Sequence, residues 1–497
     1  MTDYYMSAAG NDSNAGTSPG AAWRTFGPTY SIAWKAGDRL LLRGGDTFAG
    51  MVWVGGAAGT PLSPIVIGSY GTGRATITES GNSAIYIENC SNLVVQDLDL
   101  VGTSATYDGL SYHNTGTDRT STVKVQRCSA RGWKIGMAIG GSTATNGVDG
   151  LTVEDVDTYN NSRDGLSIYG AVSGGTYSNL NVTIRRVRAW GNTGQASYTA
   201  SHSGNGIIVG CTDGGLVEDC EAWGNGANNG WSGGGPVGIW AERARSVVIR
   251  KCYSHGNLSN NGADGGGFDL DIGCVSCMIE RCLSVGNAGA GVLLWGSSGS
   301  VVRHNVVIGN GTTNTYADVH VGGSDANALI YGNTVVAQKS SSRTPAAVHV
   351  ATTTLAAKFI NNVLTGPGVL VEVPESAPKS VAAFLQNLYW NGSGFRAQVG
   401  ATLVSSISSW RGYGQERNGT EPVGVVADPL LTVSGPGGVA VAPDSPTAGA
   451  GLDYQGLNLD PGPVDYAGSP LTTPPPIGAL VPPLRSLGPS LWALFAF

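Results

Sequence analysis

Along most of the chain, apolar and polar residues alternate in short bursts separated by glycine, asparagine and serine, the period-two signature of strands exposed on one face. One burst returns with the same grammar: Val153-Glu-Asp-Val156-Asp-Thr-Tyr-Asn-Asn161, Ile184-Arg-Arg-Val187-Arg-Ala-Trp-Gly-Asn192 and Val217-Glu-Asp-Cys220-Glu-Ala-Trp-Gly-Asn225. It continues as Ile249 to Asn257, Ile279 to Asn287 and Val302 to Asn310, with weaker copies at Val95, Val125, Ile330 and Phe359. Copies recur at intervals of about 23 to 33 residues, the range of solenoid repeats. Each copy supplies one strand per coil. Cys128, Val156, Val187, Cys220, Cys252 and Cys282 are expected to stack inward, about 4.8 Å apart. Asn161, Asn192, Asn225, Asn257, Asn287 and Asn310 are expected to form an amide ladder at a turn that tolerates left-handed backbone.

A second strand precedes each copy: Gly109 to His113, Gly136 to Gly140, Gly165 to Tyr169, Gly206 to Gly210, Gly238 to Glu242, Gly267 to Asp271, Gly291 to Trp295 and, more loosely, Ala317 to Val321. Alternation turns Leu166, Ile207, Ile239, Phe268 and Val292 inward. Two outward positions per coil remain. They carry Ser111 and His113, Ser167 and Tyr169, Trp240 and Glu242, Asp269 and Asp271, Leu293 and Trp295, then Asp318 and His320.

With 77 Gly, 23 Pro and only 13% charged residues, the composition suits turns and short strands rather than long helices. A net charge of −7 offers no basic footprint for nucleic acid. The apolar stretch Leu487 to Phe497 is about half a membrane span, so packing on the body or on a neighbouring subunit is expected, with no membrane insertion. The opening residues lack a signal peptide pattern. Eight cysteines, four at one repeat position, point to core thiols. Cys274 and Cys277 lack the second pair that a zinc site would need.

These repeats identify an all-β parallel β-helix solenoid, and the chain resembles the pectin-lyase-like superfamily of right-handed parallel β-helices. The resemblance extends to the entry segment from Tyr4, the stretch from Ala36, and the closing Asp444-Ser-Pro and Ile477-Gly-Ala. An N-terminal cap over residues 1–60, a β-helix over 61–380 and an irregular C-terminal cap over 381–497 are expected, because an open solenoid end exposes a strand edge. The resemblance implies polysaccharide lyases, glycoside hydrolases or phage tailspikes, an extracellular or virion location, a cell-surface glycan or other polysaccharide as partner, and a possible homotrimer.

Glycoside hydrolysis needs two carboxyl groups, one protonated and one ionised. Glu242, Asp269 and Asp271 are the expected catalytic set, with Glu242 as acid and Asp269 or Asp271 as base or nucleophile. Trp240, Trp295, Tyr169, His320, His202 and Trp231 are the expected sugar-binding groups, because flat apolar ring faces suit sugar C–H surfaces. His202 and Trp231 lie in the long loops Gly194 to Ser203 and Gly226 to Pro236. A non-catalytic glycan-binding protein is the alternative. Asp264-Gly-Gly-Gly-Phe-Asp269-Leu-Asp271 resembles a calcium motif of β-helix pectate lyases, but Gly265 and Gly266 replace its Asp pair and Leu293 stands where a base Lys would be. No cofactor is expected, calcium remaining the possible one.

Overall fold

The computed structural model describes residues 1–351, 353–375, 381–434 and 438–483. The apolar stretch Leu487 to Phe497 lies outside the described residues. Short strands stack coil upon coil in parallel register, because each burst ends in a turn that its residues favour. One turn places Arg127, Asp155, Arg186, Asp219, Lys251 and Arg281 at positive φ, one residue before the inward Cys or Val. The next puts Asn160, Gly191, Gly224, Gly256, Gly286 and Gly309 there. The left-handed residue therefore precedes the ladder asparagine, which is free to turn its amide inward.

That ladder is continuous. Nδ2 of Asn161, Asn192, Asn225 and Asn257 donates to Oδ1 of the asparagine one coil on at 2.9 Å, and Asn287 to Asn310 at 2.8 Å. It terminates on Asp318, whose Oδ1 accepts from Asn310 Nδ2 at 2.9 Å and from its backbone N–H at 2.7 Å. A second ladder, Asn305, Asn333, Asn362 and Asn387, takes over the column where the cysteines stop, since Cys282 N–H donates to Asn305 Oδ1 at 2.8 Å. It ends on the buried Glu416, which also accepts from Tyr389 Oη at 2.6 Å. A row of amides that each donate forward leaves one donor over at its end, and a carboxyl oxygen answers it.

All eight cysteines are buried and free. Inside, Leu110, Met137, Leu166, Ile207, Ile239, Phe268, Val292 and Val319 share one inward register. Each fully buried aliphatic or aromatic side chain of this kind contributes about 1.5–3 kcal/mol over exposure. Parallel pairing begins with Asp3–Met6 on Arg39–Arg43 and runs to Leu388–Trp390 on Val425–Val426. The helix Ile407–Gly412 then presses the fully buried Trp410 against Phe384 and Phe395, closing the core. The chain beyond returns along an outer wall: Tyr454 packs on Tyr331, Arg303 donates to Asp460 O at 2.6 Å, and Ile477 and Ala479 cover Val363 and Ile308. Among the described residues no helix is long and apolar enough to cross a membrane.

Candidate active-site cleft

A fourteen-stranded sheet that includes Leu110–Asn114, Asp164–Tyr169, Val237–Glu242, Gly266–Leu270, Val292–Trp295 and Val319–Gly322 carries the site. Its first outward column runs Ser111, Ala138, Ser167, Ile208, Trp240, Asp269, Leu293, His320, His349, Glu372. The second includes His113, Gly140 and Tyr169, then Gly210 beside Glu242, and later Trp295 beside Gly322. Ala241 pairs with Leu270 and Asp271 N–H donates to Ala241 O at 2.9 Å, so Glu242 and Asp271 are next-coil neighbours.

Small residues hollow this face. Ser111, Ala138 and Ser167 floor a cleft of about 360 Å³ walled by Asp108, Arg163, Tyr169, His202, Glu242 and Arg243. Glu242 leans over Gly210, where an added Cβ would come within 3.4 Å of its carboxylate oxygen. Arg243 Nη2 holds both Glu242 oxygens at 3.1 and 3.0 Å. Tyr169 Oη meets His113 Nδ1 at 2.6 Å, which orients the phenol at the cleft wall. Tyr198 receives the Arg163 guanidinium on its ring at 4.3 Å, a cation–π contact that steadies the loop.

The carboxyl groups divide by environment. Asp271 is partly buried, and desolvation, with Asp264 and Glu242 nearby, pushes it up to about 6 against the hydrogen bond from Ile272 N–H at 2.7 Å. Asp269 faces outward from the sheet yet is 1% exposed, and its Oδ1 has no hydrogen-bond partner. Burial, reinforced by Asp271 and Asp264, holds it well above the usual carboxylate range. Asp264 is also buried; its Oδ1 accepts from Tyr316 Oη at 2.6 Å and its Oδ2 from Gly235 N–H. Desolvation raises its pKa.

Several expectations need correction. Asp269 does not emerge into solvent beside Glu242 and Asp271: Trp240 and Leu293 flank it in the column, and it is closed in. Trp240 is 2% exposed, packed with Ile208 and Val237 under an edge-on His202 at 5.0 Å, so its indole offers no open face. The looser strand is shifted by two residues: His320, not Asp318, follows Leu293, and Asp318 lies at the end of the amide ladder. His320 is nearly buried, stacked on His349 at 4.5 Å and pushed down to about 3 by burial and by His349.

Trp295 does remain exposed, at 38%, lying against the Gly322–Gly323 backbone. Trp231 is half-buried in its loop, where its carbonyl accepts from Asn229 Nδ2 at 2.7 Å. His202 Nδ1 meets Asn205 Nδ2 at 2.9 Å. The three Asp of the calcium-like segment do not converge, and among the described residues no three His, Cys, Asp or Glu side chains group as metal ligands.

Sequence reasoning passed over Arg243, Tyr316, Asp108, His349 and Glu372. Arg243 sits at positive φ just after its strand, outside the alternation that was used to find outward residues. Asp108, half-buried and raised by desolvation against Lys134 at 3.4 Å, comes from a loop. The run of small residues at 111, 138, 140, 167 and 210 was the readable signal for a cleft.

Comparison with known proteins agrees with this architecture. The family described as "Right handed beta helix region" matches residues 115–335. A lacto-N-biosidase of Bifidobacterium longum is 28% identical over 192 residues, covering 31% of this chain; the match spans only 12% of that relative's length. The crystal structure of a GH136 lacto-N-biosidase from Eubacterium ramulus superposes with a TM-score of 0.56 at 15% identity, over 72% of this chain and 68% of that one. A mannuronic acid specific polysaccharide family 6 lyase from human gut microbiota gives 0.51 at 14% identity, over 78% and 87%. With its parallel coils, inward columns and asparagine ladders, the chain folds as a parallel β-helix, and its residues 115–335 match the right-handed β-helix family.

Proposed function

We propose that this protein cleaves a polysaccharide by hydrolysis in the cleft over Ser111, Ala138 and Ser167, with Asp271 as general acid and Glu242 as base or nucleophile. One observation carries the reading: Glu242 and Asp271 stand on adjacent coils in unlike environments, Glu242 paired with Arg243 and Asp271 pushed up to about 6. A carboxyl kept protonated by its surroundings beside a second carboxyl is the pairing glycosidic cleavage uses. The roles are the reverse of those expected from spacing alone, because partial burial favours a protonated Asp271, while Glu242 is held in place by Arg243.

Asp271 donates its proton to the leaving glycosidic oxygen as the C–O bond breaks. Glu242 either activates water or attacks the anomeric carbon itself. Asp269, enclosed between Trp240 and Leu293, is assigned no step. Tyr169, His202, Trp231 and Trp295 border the path of the chain. The sequence relative named as a lacto-N-biosidase supports a glycan substrate. Gly265 and Gly266 stand where the calcium motif of the resembling lyases carries a pair of Asp, and Leu293 stands where their base Lys would be, which favours hydrolysis over elimination.

The test is incubation with a panel of plant and bacterial polysaccharides, following reducing ends and unsaturated-uronate absorbance together. Reducing ends without absorbance, lost in Asp271→Asn and Glu242→Gln, are expected. Absorbance at the unsaturated product, or full activity in both variants, refutes the assignment.

A further inference from the structure

The outward column that floors the cleft continues below it, and its residues change character there. Trp53 pairs with Tyr86, and Tyr86 with Ser111 at the cleft floor. Trp53 is 37% exposed, with one indole face against Gly55, where an added Cβ would fall 2.6 Å from the ring. Tyr30, 49% exposed, donates its hydroxyl to Met51 O at 2.9 Å, two residues from Trp53. Three aromatic rings thus gather at the end of the cleft opposite Trp295, and none of them belongs to the inward core columns.

We propose that Tyr30, Trp53 and Tyr86 form a distal platform for a neutral polysaccharide chain lying along the solenoid axis. The inference deepens the functional reading above and rests on it for the direction of the chain. Six coil steps separate Trp53 from Trp240, about 29 Å at about 4.8 Å per step, so a ligand reaching both the platform and the carboxyls is a polymer rather than a disaccharide. The charge nearby selects against anionic sugars. Burial raises the Tyr30 and Tyr86 phenols, with Glu79 and Glu88 beside them adding to the shift, and those carboxylates would repel uronate or sulfate groups. The small residues at 111, 138 and 167 leave the intervening floor open for the chain to pass.

Native gels containing soluble arabinoxylan, mixed-linkage β-glucan or galactomannan, with polygalacturonate as the anionic probe, test the platform. The wild type and Asp271→Asn should be retarded in at least one neutral gel and not preferentially in polygalacturonate. Trp53→Ala and Tyr86→Ala should each bind about 3- to 10-fold more weakly, the worth of one aromatic stacking contact. Circular dichroism confirms that the variants are folded. Wild-type migration by Trp53→Ala, retardation by polygalacturonate alone, or no retardation in any neutral gel overturns the platform. Continued cleavage by Asp271→Asn alongside lost retardation by Trp53→Ala would instead overturn the catalytic assignment and leave the platform standing.

Discussion

Replacing Asn225 by Ala removes the middle rung of the first amide ladder. The residue is fully buried. Its Nδ2 donates to Asn257 Oδ1 at 2.9 Å and to Ala189 O at 3.0 Å, while its Oδ1 accepts from Asn192 N–H at 3.1 Å and Asn192 Nδ2 at 2.9 Å. Asn257 Oδ1 keeps one donor, the backbone N–H of residue 225 at 3.3 Å. Asn192 is less fortunate: its N–H and one Nδ2 hydrogen are left facing a methyl group. Each buried orphan donor costs about 1–3 kcal/mol, so the substitution should destabilise the chain by about 2–6 kcal/mol. That is a large share of the roughly 5–15 kcal/mol that separates most folded domains from their unfolded states. Guanidinium unfolding followed by tryptophan fluorescence reads the change, with exposed Ser173→Ala as control. Because solenoids can unfold piecewise, hydrogen exchange should show the loss centred on the coils around residues 192 and 257. An effect under about 0.5 kcal/mol, equal to the control, would refute the view that the ladder holds the coils in register.

Other consequences follow from the same coordinates. Burial pushes Glu416 up to about 7 from its ordinary 4.5, so the folded state holds a proton that the unfolded chain has released between those values. Stability should therefore fall as pH rises from about 5 to 7, by up to about 3 kcal/mol for this group; Glu416→Gln, which keeps the acceptor for Asn387 and Tyr389, should flatten that slope in pH-dependent melts, and an unchanged slope would count against it. Asp318, pushed up to about 8 by burial, has the same sign. Cleavage should decline above about pH 6 as Asp271 loses its proton, with a slope near tenfold per pH unit; a rate constant flat to pH 8 would remove Asp271 as the acid. The eight thiols should resist a thiol reagent in the native protein and all titrate in guanidinium, whereas a disulfide between Cys274 and Cys277 would leave two missing.

The solenoid was legible because its information is local and repeated. Alternation assigns each side chain to a face, and the recurrence of Asn161, Asn192 and Asn225 at one offset locates the turn without any long-range knowledge. The adjacency of Glu242 and Asp271 followed from the same arithmetic, since parallel strands in register place equal offsets side by side. The second ladder was partly hidden, because Asn305 reads as a substitute for Cys in the repeat until Asn333, Asn362 and Asn387 are aligned with it. The strand at Val319–Gly322 was misaligned by two residues because Asp318 imitates an outward strand position while serving the preceding turn.

By itself the sequence determined the stack of coils, the inward columns and the identity of the outward face, because a period-two pattern is set by the backbone alone. Only the tertiary structure decided which outward groups meet solvent. Asp269 is closed in between Trp240 and Leu293 and Trp240 lies under His202 of a loop, while Gly210 leaves room for Glu242 and Trp295 stays in the open against Gly322. Desolvation depends on every atom within reach, whatever its place in the chain, so the protonation of Asp269 and Asp271 could be read only once the coils were folded against their loops.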